Sequence, residues 1–201
     1  MNKHRLELFS DGVFAIVLTL LVLDLRVPGA HGLPGLWEIV PELLVHAASF
    51  LVVASLWLAH HGVLARVTAI SSRTLRLNLM CLFWITLIPF GARNAAEHPL
   101  EPLGASLSAA ATGFGLLSLL CMRLSAHSTV DDNPNLQTYR HRQVAIVFAL
   151  GAAGVVCAVL AWITLWPAYA ATMATAIFLL TMPSPAEVEQ RVGAPADNDP
   201  P

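Results

Sequence analysis

The sequence predicts an all-α integral membrane protein with six transmembrane helices per subunit, and three observations support this. Hydrophobic residues make up 56% of the chain and charged residues only 12%, against about 25% charged residues in a typical soluble domain. Several apolar stretches reach the roughly 20 residues that a helix needs to cross the hydrocarbon core of a bilayer. Basic residues also collect in alternate connecting segments, which is the pattern that orients membrane proteins.

The limits of each span follow from the residues that break the apolar stretches. The first span closes before Pro28-Gly29, and Pro34, Gly35 and Pro41 place the start of the second span after them. The last span ends at Met182-Pro183, and a tight hairpin is expected between the final two. The predicted spans are residues 6–26, 43–65, 75–92, 104–123, 143–163 and 166–182.

The placement of charge predicts the orientation of these spans. One set of connecting segments contains Lys3, Arg5, Arg66, Arg73, Arg76, Arg123, Arg140 and Arg142. The opposite set contains only Arg26 and Arg93, together with Glu38, Glu42, Glu97 and Glu101. Because Lys and Arg favour the cytoplasmic side, we expect a multi-pass protein of the cell membrane with both termini in the cytoplasm.

The chain is expected to form one transmembrane domain, residues 1–182, followed by a tail. Residues 183–201 are rich in proline, alanine and acidic side chains, a composition typical of disorder. The segment His127–Asn135 is expected to be a polar cytoplasmic loop. No internal repeat is apparent, so a pathway across the membrane is expected between subunits of an oligomer.

Composition argues against several classes of function. A net charge of −2 does not favour nucleic acid, which is bound by basic patches. The three cysteines form no C-x-x-C pair, and no nucleophile with an adjacent base indicates an enzyme. Glu42 and His46 lie one helical turn apart, but His46 and His60 are about 21 Å apart along a helix, so no metal site or cofactor is predicted.

Polar side chains inside the spans are the strongest functional signal, because ionisable groups are costly in a bilayer. Ser10 and Asp11 lie near the start of the first span, His60 in the second and Asn78 in the third. Ser10 and Asp11 can be interpreted as a helix N-cap at the membrane surface. Alternatively, Asp11 is buried and needs polar partners, for which His60 and Asn78 are candidates.

The first span also carries an apolar stripe. Ile16, Leu20 and Leu23 share one face of a helix; such a stripe usually indicates core packing. Thr19 lies about 60° from Ile16, while Asp11 projects about 140° away from it. By the same spacing Arg5 falls near the stripe face rather than beside Asp11.

At the far end of the first span, Asp24 lies about 40° from Leu20. In an oligomer it would present a ring of carboxylates at the outer mouth. It can equally pair with Arg26 or lie in water at the membrane surface.

The segment Arg5-x-x-x-Phe9-Ser10-Asp11, with the apolar run that follows, resembles the signature of the lysosomal potassium channel family, transmembrane protein 175, and its bacterial homologues. Trp57-Leu58-Ala59-His60-His61, Asn78 and Pro89-Phe90 are similar to the second and third helices of that family. The resemblance covers the first half of the chain well. The second half is similar mainly in hydropathy and length.

The resemblance implies a homo-oligomer, a tetramer in the bacterial form, in the bacterial inner membrane, with helix one lining a central pore. It implies a pore constriction at Ile16, Leu20 and Leu23, and selectivity at Thr19 and Ile16. It implies a polar network behind the pore formed by Arg5, Ser10, Asp11, Trp57, His60 and Asn78. The permeant ion would be potassium, and the partners would be the lipid bilayer and monovalent cations.

Two functions are compatible with these features. The first is a passive, potassium-permeable cation channel gated by the apolar constriction. The alternative is a small oligomeric proton-coupled secondary transporter, since intramembrane carboxylates and histidines serve proton relays. The absence of an inverted repeat or a broken helix pair in the sequence favours the channel.

Overall fold

The computed structural model describes residues 2–23, 25, 29, 31–67, 70–125 and 134–181. Asp24, Arg26, the tail from residue 183 and most of the predicted cytoplasmic loop lie outside the described residues. The described helices are α1 (Lys3–Leu23), α2 (Leu33–Arg66), α3 (Ser72–Thr86), α4 (Ile88–Glu97), α5 (Pro102–Ser125), α6 (Pro134–Leu160) and α7 (Trp166–Thr181).

The described helices confirm the predicted all-α membrane architecture. Within the described residues, five segments are long and apolar enough to cross a membrane, and α3 with α4 counts as one of them, Ser72–Glu97. The sixth, α7, is apolar but shorter, with 16 residues. The non-helical residues 161–165 join α6 to α7, and these two helices pack together as the predicted hairpin.

The second helix begins ten residues earlier than predicted, because two prolines are accommodated in it. Pro34 lies in the first turn, where a missing N–H costs nothing. Pro41 lies inside the helix, where it leaves the carbonyl of Trp37 without its helical partner. Because Trp37 is exposed near the helix start, other groups can satisfy that carbonyl.

The third predicted span is present as a single segment, but it contains a break and ends later than predicted. A turn at Leu87 separates α3 from α4, and α4 continues to Glu97 rather than ending at residue 92. Pro89 explains the break, because its ring clashes with the carbonyl four residues earlier, at Ile85. Similarly, α6 begins at Pro134, so the last two residues of the predicted loop are helical.

Packing places α5 at the centre of the bundle, against α3, α4, α6 and α7. Close approach requires small residues: a Cβ on Gly113 would lie 2.8 Å from the carbonyl oxygen of Gly151. Helix α1 packs on α2, α3 and α4, at the edge of the bundle. This position leaves one long face of α1 uncovered within the subunit.

Candidate functional site

Helix α1 has two faces of opposite environment. Its buried face carries Leu6, Ser10, Phe14, Val17 and Leu21. The predicted stripe lies on the other side: Ile16 is 59% exposed, Leu20 44% and Leu23 76%. The stripe is therefore not part of the core of the subunit.

A cluster of buried polar side chains attaches α1 to α2 and α3. The Asn78 side-chain amide donates to Ser10 Oγ at 3.1 Å, and Asn78 Oδ1 lies 2.7 Å from His60 Nε2. All three residues are almost inaccessible, at 1% exposure or less. One amide thus joins three helices in a region where polar groups would otherwise lack partners.

The contact with Asn78 shows which ring nitrogen of His60 carries a hydrogen. Asn78 Oδ1 can only accept, so His60 Nε2 is the donor. The ring packs on Phe14 of α1, with centroids 5.3 Å apart. His60 Nδ1 is buried and makes no hydrogen bond in the described structure.

Asp11 has its own partner. The indole Nε1–H of Trp57 donates to Asp11 Oδ1 at 2.9 Å, and Asp11 is partly buried. A hydrogen bond to an ionised acceptor is stronger than a neutral one, so this contact defines the rotation of α1 against α2. Ser10, Asp11, Trp57, His60 and Asn78, which are separated in sequence, therefore lie together behind the stripe.

Two further predicted residues lie away from this cluster. Arg5 is exposed on α1, near the stripe side, and the described contacts do not include it in the cluster. Thr19 is exposed, and its hydroxyl donates to the carbonyl of Ile16 at 2.9 Å. Asp24, predicted at the outer mouth, lies outside the described residues.

Sequence reasoning missed the contact at the start of α1. Lys3 Nζ donates to the carbonyl of Ala65 at 2.9 Å and lies 3.8 Å from Glu7. An ammonium at the C-terminal end of α2 satisfies a terminal carbonyl and suits the helix dipole. In the sequence Lys3 indicated only topology, because its partner is a backbone atom.

Comparison with known proteins shows the family of the chain. A protein of Streptomyces collinus named as a potassium channel is 34% identical over 164 residues, which cover 77% of this chain and 80% of that protein. The chain belongs to the TMEM175 family. The sequence profile of the family, described as endosomal/lysosomal potassium channel TMEM175, matches residues 5–89, which contain the whole cluster and the stripe.

Two other TMEM175 proteins extend the comparison. The crystal structure of a lysosomal potassium-selective channel TMEM175 homologue from Chamaesiphon minutus has a TM-score of 0.67 and 26% sequence identity, covering 89% of this chain and 96% of that chain. A protein of Gallus gallus named endosomal/lysosomal proton channel TMEM175 is 36% identical over 109 residues, which cover 48% of this chain and 22% of that protein. The similarity to the structure extends through the second half of the bundle.

Proposed function

We propose that this protein is the subunit of a homotetrameric, potassium-permeable cation channel whose pore is lined by α1. Its membership of the TMEM175 family and the relatives named as potassium channels support this function. The observation that carries the proposal is the uncovered apolar stripe of α1, opposite a face that is fixed to α2 and α3 by polar contacts.

Among the described residues, the interior of a single subunit offers no comparable route. Its centre is filled by a continuous cluster of buried apolar side chains from several helices. A pathway between subunits is therefore favoured, with α1 from each copy facing the symmetry axis. The charge pattern supports an orientation with the N-terminus of α1 in the cytoplasm.

The stripe would form the gate. Ile16 and Leu23 are seven residues apart, or about 10 Å along a helix, which is room for several stacked apolar rings. Such a constriction excludes hydrated ions by dewetting when it is narrow. Conduction then requires the α1 helices to separate or rotate, and the contact of Asp11 with Trp57 limits that motion.

Ion preference would arise at Ile16 and Thr19. The Thr19 hydroxyl donates its hydrogen to the Ile16 carbonyl. The lone pairs of the hydroxyl oxygen can therefore coordinate a passing cation. A hydroxyl and an apolar ring discriminate less strongly than a cage of carbonyls, so we expect modest preference for potassium over sodium. Asp24 at the outer mouth would attract cations.

The test is potassium flux into liposomes that contain the purified protein, with Ile16→Asn and Val156→Asn as a matched pair. Val156 is an exposed aliphatic residue on α6, at 56% against 59% for Ile16. Ile16→Asn should hydrate the constriction and raise flux, while Val156→Asn should leave it unchanged. Equal effects of the two substitutions, or none, would contradict a pore lined by α1.

The alternative is a proton-coupled transporter, favoured by one observation. His60 Nδ1 is buried without a hydrogen-bond partner in the described structure, in the cluster that contains Asp11, and intramembrane histidines and carboxylates serve proton relays. A transporter would give saturable, pH-coupled exchange that does not respond to Ile16→Asn. Unitary potassium currents altered by Ile16→Asn would exclude it.

A further inference from the structure

The exposed side of α3 changes from charged to apolar along its length. Arg73 and Arg76 are exposed in its first turns, and Met80 and Phe83 follow them with exposures of 50% and 53%. At 100° per residue, the other three lie within about 60° of Arg76 around the helix. These four side chains form one continuous strip, the α3 strip, with two guanidinium groups at one end.

The two arginines of the α3 strip are not neutralised within the described part of the subunit. The two carboxylates of α1 that the structure describes are occupied by other groups: Glu7 lies 3.8 Å from Lys3, and Asp11 accepts from the Trp57 indole. Neither arginine of the strip has a hydrogen bond or an ion pair among the described residues. Two positive charges are therefore available to a group outside the subunit.

The depth of the α3 strip places these charges at the lipid head groups. The span formed by α3 and α4 has 26 residues, Ser72–Glu97, and at 1.5 Å per residue it is about 39 Å long. The hydrocarbon core is only about 30 Å thick, so the ends of the span extend into the head-group layers. Both arginines lie in the first five residues of the span, 72–76, and long basic side chains there keep their charge at the interface.

The chemistry of the α3 strip selects the kind of lipid. A guanidinium binds a phosphate with two parallel hydrogen bonds, and two guanidinium groups three residues apart are neighbours on the helix surface. A zwitterionic lipid balances its phosphate with its own ammonium group, whereas an anionic phospholipid has an uncompensated negative charge. The apolar part of the strip continues from the arginines toward the hydrocarbon core, which is the direction of an acyl chain.

Another exposed arginine lacks this arrangement. Arg142 of α6 is exposed, but among the described side chains of α6 no second arginine lies beside it. Ala145 and Ala149 follow it on the same side of the helix, together with Ile146. Arg142 therefore has the charge and exposure of the strip arginines without their pairing.

From this arrangement we propose that the α3 strip binds an anionic phospholipid, with its phosphate between Arg73 and Arg76 and an acyl chain along Met80 and Phe83. The proposal requires only that the protein lies in a membrane, so it is independent of conduction. Asn78, which donates to α1, lies about 160° from Arg76 around α3. The lipid therefore covers the side of α3 opposite the polar cluster.

The first test measures lipid binding to the purified full-length protein in detergent by native mass spectrometry, with phosphatidylglycerol and phosphatidylcholine of the same acyl chains. Phosphatidylglycerol should bind more tightly. Arg73→Gln and Arg76→Gln should each lower its affinity about fivefold, the contribution of one basic residue near an anionic head group, and Arg142→Gln should change it less than twofold. Equal affinities for the two lipids, the same loss in all three variants, or full displacement of the lipid by inorganic phosphate would overturn the proposal.

A second measurement uses the unmodified protein, so it does not depend on the folding of variants. The protein is reconstituted in phosphatidylcholine bilayers with a trace of phosphatidylglycerol or phosphatidylcholine that has a photoreactive acyl chain, and labelled residues are mapped by peptide mass spectrometry. The ratio of phosphatidylglycerol label to phosphatidylcholine label should be several-fold higher at Met80 and Phe83 than at Ile146, which is also exposed.

Equal ratios at α3 and α6 would reject the lipid site. Absence of label on α3 from either probe would also reject it, because another subunit then covers the strip. Neither result bears on the potassium flux that tests the proposed function, so the two proposals can fail separately.

Discussion

Replacement of Asn78 by leucine should loosen α1 from the bundle, because one amide joins three helices. The substitution keeps a similar volume but removes the donor to Ser10 Oγ at 3.1 Å and the acceptor for His60 Nε2 at 2.7 Å. Interhelical hydrogen bonds in membranes contribute roughly 0.6 to 1.7 kcal/mol each. Loss of both therefore costs about 1 to 3 kcal/mol of unfolding free energy.

The measurement is unfolding in mixed micelles, followed by circular dichroism as the denaturing detergent fraction rises. Thr86→Val is the matched control on the same helix, because the Thr86 hydroxyl donates only to the carbonyl of Phe83 and is exposed. It should change the unfolding free energy by no more than about 0.5 kcal/mol.

A double substitution separates the hydrogen bond from general packing. Ser10→Ala together with Asn78→Leu removes both partners, so no buried donor or acceptor remains between these two residues. The pair should cost less than the sum of the single substitutions, by about 0.5 kcal/mol or more. Strict additivity, or an Asn78→Leu protein as stable as Thr86→Val, would refute the role of the amide.

Two further predictions concern other contacts of the bundle. Gly113→Ala should destabilise the fold by about 1 to 3 kcal/mol in the same unfolding assay, because the new Cβ would lie 2.8 Å from the Gly151 carbonyl oxygen. Gly115→Ala is the control. Its new Cβ would meet the nearest side chains at 3.7 Å or more, so this substitution should be tolerated. Asp11→Asn should weaken the charge-assisted bond from Trp57 and reduce the yield of the assembled oligomer or the potassium flux, and wild-type assembly with full flux would contradict this.

The two faces of α1 were predictable from the sequence because they depend only on helical spacing. Ile16, Leu20 and Leu23 share one side of any regular helix, and the structure leaves that side uncovered. The burial of Ser10 and the inward projection of Asp11 follow from the same spacing. Local periodicity is enough when an element is a single straight helix.

Other features depend on distances between helices, which the spacing of residues along one helix does not predict. The contact of Trp57 with Asp11 requires a particular rotation of α2 against α1, and the contact of Lys3 with the Ala65 carbonyl involves a backbone acceptor. The continuation of α2 through Pro41 has a different cause. The acceptor that Pro41 frees is the carbonyl of the exposed Trp37, and membrane-spanning helices tolerate a proline where groups outside the helix satisfy such a carbonyl.

The polar contacts of α1 are explained by what apolar packing cannot do in a membrane. Lipid tails are as apolar as the leucines of a helix, so hydrophobic burial does not fix how α1 is rotated. Rotation matters, because one residue of register turns the stripe by about 100°. Hydrogen bonds from Trp57 to Asp11 and from Asn78 to Ser10 fix that rotation from the side of α1 that packs on α2 and α3. The proposed gate, made only of apolar side chains, would therefore depend on polar groups that the ion does not contact.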